Sequence, residues 1–300
     1  MGRTPTTGAV TIGTAPDSWG VWFAEDPLQT PAARFLDEVV DAGYEWIELG
    51  PYGYLPTDPA ELSDELEKRR LKVSAGTIFA ALHRPDHYDE AWAQVEQVAK
   101  LTQAMGGTHL VVIPGQWRSD KTGEQIEPRE LDEDGWARLA AGMDRLGRDV
   151  RNGYGLQIAV HSHADTHIDT HAEVDRFLEL TDPDVVKLCL DTGHVSYSGG
   201  DNLKIIADHP DRIAYVHLKQ VDPAIVARVK AEDLPFGEAV KLGAMVEPPH
   251  GIPAMPPILE ALEGLGRDLF AIVEQDLYPV AFDAPLPIAT RTRTYLNSCR

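Results

Sequence analysis

A (β/α)8 barrel of the TIM type, an α/β fold, is what the 300 residues of this chain predict. Three observations carry that expectation. Eight short apolar or β-branched runs recur along the sequence, a segment with helical periodicity follows each, and ionisable residues gather at the carboxyl ends of several runs.

In chain order, the first run covers residues 9 to 14 and is followed by helical periodicity over 30 to 42. The second, 46 to 49, leads to a helix over 58 to 70 whose start is signalled by Asp58-Pro59, a capping side chain before a residue suited to a first turn. The third, 72 to 77, precedes a helix over 86 to 105 with Asp86 as its start signal. Runs at 109 to 113 and 156 to 161 lead to helices over 132 to 152 and 171 to 180. Runs at 185 to 190, 213 to 218 and 270 to 274 lead to helices over 201 to 208, 255 to 265 and 285 to 297. No linker rich in Gly, Ser and Pro cuts the chain and no short-period repeat marks it, so one domain over residues 1–300 is expected. Two longer connections, 114 to 131 and 219 to 253, would emerge on the catalytic face of a barrel as lids or substrate walls. A doubly wound sheet is the rival fold, but no G-x-G-x-x-G or P-loop follows the first run, where Gly13-Thr14-Ala15-Pro16 leads into Asp17-Ser18-Trp19, and nucleotide cofactors lose support.

Composition narrows the function classes. With 27 Lys and Arg against 48 Asp and Glu, the net charge of −21 would repel phosphate backbones and anionic membranes, so neither nucleic acid nor a membrane is an expected partner. The two cysteines, Cys189 and Cys299, lack C-x-x-C spacing and are too few for a disulfide framework, which fits a reducing compartment. Residues 1 to 7 contain no apolar core of secretory length, and no run approaches the roughly 18 apolar residues of a membrane span. A cytoplasmic location is expected.

In a barrel the residues to inspect are those at the carboxyl ends of strands. The second run ends Ile47-Glu48-Leu49-Gly50, the fifth Val160-His161-Ser162-His163 and the sixth Leu190-Asp191-Thr192-Gly193-His194. The seventh ends Val216-His217-Leu218-Lys219 and the eighth Val273-Glu274-Gln275-Asp276. Each follows an apolar run that has to be buried, where an unpaired charge is costly and a divalent metal is one way to offset it. Period-two alternation puts His161 with His163, His217 with Lys219, and Glu274 with Asp276 on one side of their strands. Mixed imidazole and carboxylate donors suit Mn, Fe, Co or Zn better than Ca or Mg. Trp19 and Trp22 offer aromatic faces to the apolar side of a sugar ring or to core packing, and His194 and Gln275 are further candidate substrate contacts, His194 alternatively holding Asp191. His167 and His171 read as solvated or capping residues, the acidic run from Glu61 to Glu67 as an exposed helix face, and Cys189 as a small core residue.

Gly13-Thr14-Ala15-Pro16-Asp17-Ser18-Trp19-Gly20 and Ala42-Gly43-Tyr44-Glu45-Trp46-Ile47-Glu48-Leu49-Gly50-Pro51, with Tyr54-Leu55-Pro56 and the four histidine- or carboxylate-bearing strand ends from the fifth to the eighth, resemble the xylose isomerase-like sugar isomerase/epimerase superfamily. Within it they are most similar to the inosose (2-keto-myo-inositol) dehydratase branch. The resemblance covers most of the chain. It implies one divalent metal on the barrel axis, Mn or Co favoured over Zn or Fe, held by His161, Asp191, His217 and Glu274. Histidine stands at position 161, where many isomerases and epimerases of the superfamily have glutamate and the dehydratase branch tends to have histidine. Ala164-Asp165-Thr166-His167 then departs from the glycine and threonine that usually follow in that branch.

The implied activity is metal-dependent loss of water from a cyclic polyhydroxy ketone through an enediolate, with isomerisation or epimerisation of a keto-sugar as the alternative. Glu274, His163 or Glu48 would take the proton next to the carbonyl, and Lys219 would stabilise negative charge or protonate a leaving hydroxyl. The expected partner is a small polyol or keto-sugar, and a homo-oligomer is left open. A DNA-repair endonuclease shares the barrel and the metal chemistry but needs a basic surface that a charge of −21 denies; a catalytically silent sugar-binding subunit is the remaining reading.

Overall fold

The computed structural model describes residues 8–119 and 122–300; the leader reading of residues 1 to 7 lies outside them. In chain order the strands are β1 (Val10–Thr14), β2 (Trp46–Glu48), β3 (Lys72–Ala80), β4 (His109–Pro114), β5 (Gln157–His161), β6 (Val186–Asp191), β7 (Ile213–Leu218), β8 (Gln220–Val221), β9 (Met245–Val246) and β10 (Leu269–Val273). β1 to β7 and β10 form a closed parallel barrel, with β10 pairing back onto β1, whereas β8 and β9 form a separate antiparallel ladder. The expected eighth strand is therefore β10. Around the barrel run α1 (Ala32–Asp41), α2 (Pro59–Arg69), α3 (Tyr88–Ala104), α4 (Glu133–Tyr154), α5 (His171–Leu180), α6 (Thr192–Ser198), α7 (Asn202–Asp208), α8 (Pro223–Ala231), α9 (Phe236–Lys241), α10 (Met255–Glu263) and α11 (Pro285–Ser298).

The caps explain several boundaries. Asp58 accepts hydrogen bonds from the Ala60 and Glu61 amides at the start of α2, with Pro59 in the first turn, as the sequence signal requires. Leu62 and Leu66 on that helix are buried while Glu61, Asp64 and Glu67 are exposed, the solvated face expected of the acidic run. Thr170 and Glu173 form a reciprocal capping box for α5, so His171 is its first helical residue and not its cap. Asp86 does not cap α3: it sits in the left-handed region at φ 57°, and His87 holds the cap position.

Packing is layered. Ala75, Val111, Ala159, Cys189, Tyr215 and Ile272 fill the barrel interior, where the Tyr215 and Ser74 hydroxyls meet at 2.7 Å, and a larger apolar layer lies between strands and helices. The connection from 219 to 253 is built differently from the loop its sequence suggests. β8, α8, α9 and β9 carry their own apolar cluster, including Val221, Phe236, Val240 and Met245. Buried Arg118 anchors it: Nε donates to Asp165 Oδ1 at 2.7 Å and Nη2 to the Leu234 carbonyl at 2.8 Å, while Asp165 Oδ2 accepts from the Phe236 amide at 2.8 Å. Loops after β4, β5 and β7 are thus locked together, and Phe236 is fixed over the barrel mouth.

Candidate metal centre and its cavity

At the carboxyl ends of the strands opens a cavity of about 560 Å³. Its floor is made by the alternate strand-end residues expected from period-two geometry: Glu48, His161 with His163, His217 with Lys219, and Glu274 with Asp276. The register sets Asp191 beside His217 and His161 beside Cys189.

Four side chains, His161, Asp191, His217 and Glu274, offer ligand atoms that all lie within 4.8 Å of one another. All four are buried. Asp191 Oδ1 accepts from the His194 amide at 2.7 Å, whereas Oδ2 is buried without a hydrogen-bond partner, 3.6 Å from both His161 Nε2 and His217 Nδ1. His217 Nδ1, 3.0 Å from Glu274 Oε2, is also left without a hydrogen bond. An orphaned carboxylate oxygen and an orphaned imidazole nitrogen, converging with ligand atoms of His161 and Glu274, fit a divalent transition cation. The surrounding contacts fit as well. His217 Nε2 donates to Glu48 Oε2 at 2.9 Å, which turns Nδ1 toward the cluster, and Thr77 donates to the other oxygen of Glu48.

Electrostatics add a fixed cation. Lys219 Nζ is buried 2.8 Å from Asp276 Oδ2, 3.1 Å from Glu274 Oε2 and 3.3 Å from Asp191 Oδ2. Burial alone would lower its pKa, but Asp191, Asp276 and Glu274 outweigh that and hold it well above the ordinary lysine value. Burial would raise the Asp191 carboxyl, yet Lys219 and His194 keep it well below the usual range; Glu274 is drawn to about 2 against its burial by His217 and Lys219. Asp17, in the 3-10 turn after β1, goes the other way, raised by burial and by Glu274.

Other residues are placed differently from the sequence reading. Trp19 is fully buried, edge-on to Phe35 at 5.1 Å with its indole N–H donating to Glu38 at 2.9 Å, so it belongs to the core and does not line the cavity. His194 and Gln275 are also buried off the cavity wall, His194 accepting from the Ala164 amide and Gln275 donating to the Met245 carbonyl. Trp22 does line it, stacked between Phe236 and Tyr278. Asp17, Thr77 and Phe236 were not singled out by sequence reasoning; only Thr77, on the same strand face as Ala75, carried a local signal. His167 is neither solvated nor a cap: it is buried against Glu127.

Gly193 makes the Lys219 position possible, because a Cβ there would stand 2.6 Å from Lys219 Cβ and Cγ. Gly193→Ala is therefore expected to displace the lysine stem and lower turnover at least about tenfold, the scale of a misplaced charged group. Steady-state kinetics beside a thermal melt checks this, and unchanged turnover would mean that the stem has room to move.

A family model described as xylose isomerase-like TIM barrel matches residues 36–292. The inosose dehydratase of Lacticaseibacillus casei is 33% identical over 295 residues, covering 96% of this chain and 97% of that protein. The inosose dehydratase of Geobacillus thermodenitrificans is 30% identical over 299 residues, covering 96% of each. Among solved structures, the IolI protein with a bound zinc atom superposes with a TM-score of 0.71 at 17% identity, over 96% of this chain and 98% of that one, a likeness of fold.

Proposed function

Because the chain belongs to the xylose isomerase-like TIM barrel family, we propose that it is a metal-dependent hydro-lyase that removes water from a cyclic polyhydroxy ketone of the inosose kind. The observation that carries this reading is the convergence of His161, His217 and Glu274 at the floor of a cavity large enough for a six-membered polyol, with buried Asp191 beneath them. Full-length similarity to two inosose dehydratases supports the choice of substrate class.

The four converging side chains are the ligands. The cation, manganese or cobalt in this proposal, supplies Lewis acidity toward the ketone when bound. Of the three candidate bases, Glu274 is held by Lys219 and His217, and both oxygens of Glu48 accept hydrogen bonds, which makes Glu48 the residue that orients His217. His163 remains. Its Nδ1–H donates to the Ala164 carbonyl at 2.8 Å, leaving the lone pair on Nε2, and its ring is held 4.0 Å from that of His194 and 5.0 Å from Phe236. His163 therefore takes the proton from the carbon beside the carbonyl. Lys219, held charged by three carboxylates, stabilises the negative charge that develops on oxygen and is a poor proton donor. As the carbon–oxygen bond to the β-hydroxyl breaks, the raised carboxyl of Asp17 supplies the proton that completes the water. Trp22 and Phe236 close the apolar side of the cavity.

The same reading takes residues 1–300 as one domain and the cytoplasm as its compartment, supported by the free Cys189 and Cys299. No helix among the described residues is long and apolar enough to cross a membrane, and the net charge of −21 disfavours nucleic acid. The test is incubation of the manganese- or cobalt-loaded protein with inosose. Mass spectrometry is expected to register loss of one water and ultraviolet absorbance a conjugated product. An isomer of unchanged mass would transfer the assignment to an epimerase or isomerase, and no solvent deuterium uptake across a panel of inososes and ketoses would leave a sugar-binding protein.

A further inference from the structure

A second group of ligand-type side chains meets outside the cavity: His83 from the turn after β3, Glu127 from the connection between β4 and α4, and His167 from the loop between β5 and α5. Both imidazoles are buried. His83 Nε2 at 2.8 Å and His167 Nε2 at 3.1 Å face the same oxygen, Glu127 Oε1, and the rings cross at 67°. Arg84 Nε holds the other oxygen at 3.3 Å, while its Nη2 is 3.2 Å from Oε1. A crevice of about 400 Å³ opens beside the group and shares no wall residue with the catalytic cavity.

The tautomer of His167 makes this more than an ion pair. Its Nδ1 lies 3.2 Å from the Arg129 backbone carbonyl, which can only accept, so Nδ1 carries the hydrogen. A neutral His167 then turns the lone pair of Nε2 against a carboxylate oxygen. Either a proton on Nε2 or a cation shared by both atoms removes that repulsion. His167, whose remaining N–H is tied to a backbone carbonyl, has the outer arrangement that metal ligands require, and Arg84 spans both oxygens of Glu127. The separations of 2.8 and 3.1 Å need to widen by about 0.6 and about 0.3 Å to reach the roughly 3.4 Å between ligands of a four-coordinate cation.

We propose that His83, Glu127 and His167 bind a second divalent transition cation of the zinc type, with the crevice side open to water. The cation clips together three loops of the catalytic face, one of which carries the cavity residue Gln116.

Metal-stripped full-length protein, titrated with zinc and assayed by equilibrium dialysis and elemental analysis, is expected to take up two equivalents per chain. His167→Gln and Glu127→Gln should each take up one, and Asp191→Ala should also take up one, bound at the second site. Arg84→Ala, which leaves all three ligands in place, should still take up two. Cobalt(II) in Asp191→Ala should give visible absorption of four-coordinate intensity that His167→Gln added to it removes. If the wild type saturates at one equivalent and Asp191→Ala binds none, the cluster is a protonated histidine–carboxylate pair and the proposal is overturned. One equivalent that survives Asp191→Ala but not His167→Gln would uphold this site and overturn the axial one. The first result is read on the wild type and on Asp191→Ala alone, and Glu127→Gln takes the place of His167→Gln in the second if the histidine variant fails to fold.

Discussion

Asp191→Ala is expected to strip the barrel axis of its cation and to lower turnover about a thousandfold or more, since metal charge stabilisation is worth several kcal/mol and each 1.4 kcal/mol is about a factor of ten. Asp191 contributes twice. Its Oδ2, which makes no hydrogen bond, stands at the centre of the cluster, and its Oδ1 caps α6 through the His194 amide. Loss of the cap alone costs only about 1 kcal/mol, which a barrel of this size withstands, so the folded variant should be recoverable. Asp191→Asn separates the two contributions: it keeps an oxygen for the cap but removes the charge that a cation needs, and should follow the alanine variant in metal content and turnover while melting closer to wild type. The measurements are elemental analysis, kcat for water loss and a thermal melt on the same preparations. A variant that keeps axial metal and near-normal turnover would move the reaction away from this site.

Lys219→Met is expected to leave axial metal bound while lowering kcat by a factor of about 10² to 10³, the scale of removing one group that stabilises developing negative charge. It also exposes the carboxylates to one another. Asp276, Glu274 and Asp191 all lie within 3.3 Å of the ammonium, and their buried charges would lose their shared partner. Breaking a buried ion cluster from one side costs about 3–5 kcal/mol, so the metal-free variant should melt well below metal-free wild type. Metal loading should recover part of that difference, because a dication at the cluster restores positive charge beside the same oxygens. Dialysis against metal, melting with and without it, and kcat together distinguish this variant from Asp191→Ala, which should lose the metal itself. Unchanged kcat would make Lys219 a structural counter-ion only.

The eight barrel strands were legible in the amino-acid sequence because a buried parallel strand must be an apolar run and its crossover helix must repeat every 3.6 residues. The polar ends of those runs were legible for a related reason: alternation decides which of two neighbours faces the axis, and His217 with Lys219 or Glu274 with Asp276 follow it. The chain also determined its own charge balance and the absence of a nucleotide-binding turn after β1. Tertiary structure alone decided which aromatic and polar residues near those ends reach the cavity. Trp19 and Trp22 are three positions apart, yet one is sealed against Phe35 and the other lines the wall, because the 3-10 turn ends at Trp19 and Gly20, in the left-handed region at φ 72°, redirects the chain before Trp22. The connection after β7 carried no long periodicity, since its helices α8 and α9 have nine and six residues, and its order comes from Arg118 and Asp165, supplied by two other loops. His83, Glu127 and His167 are separated by 44 and 40 residues, so no spacing rule joins them; they meet because consecutive parallel strands deliver their loops to the same face of the barrel. Periodicity is a local property that each segment carries with it, whereas strand register and loop packing depend on contacts between segments distant in the chain.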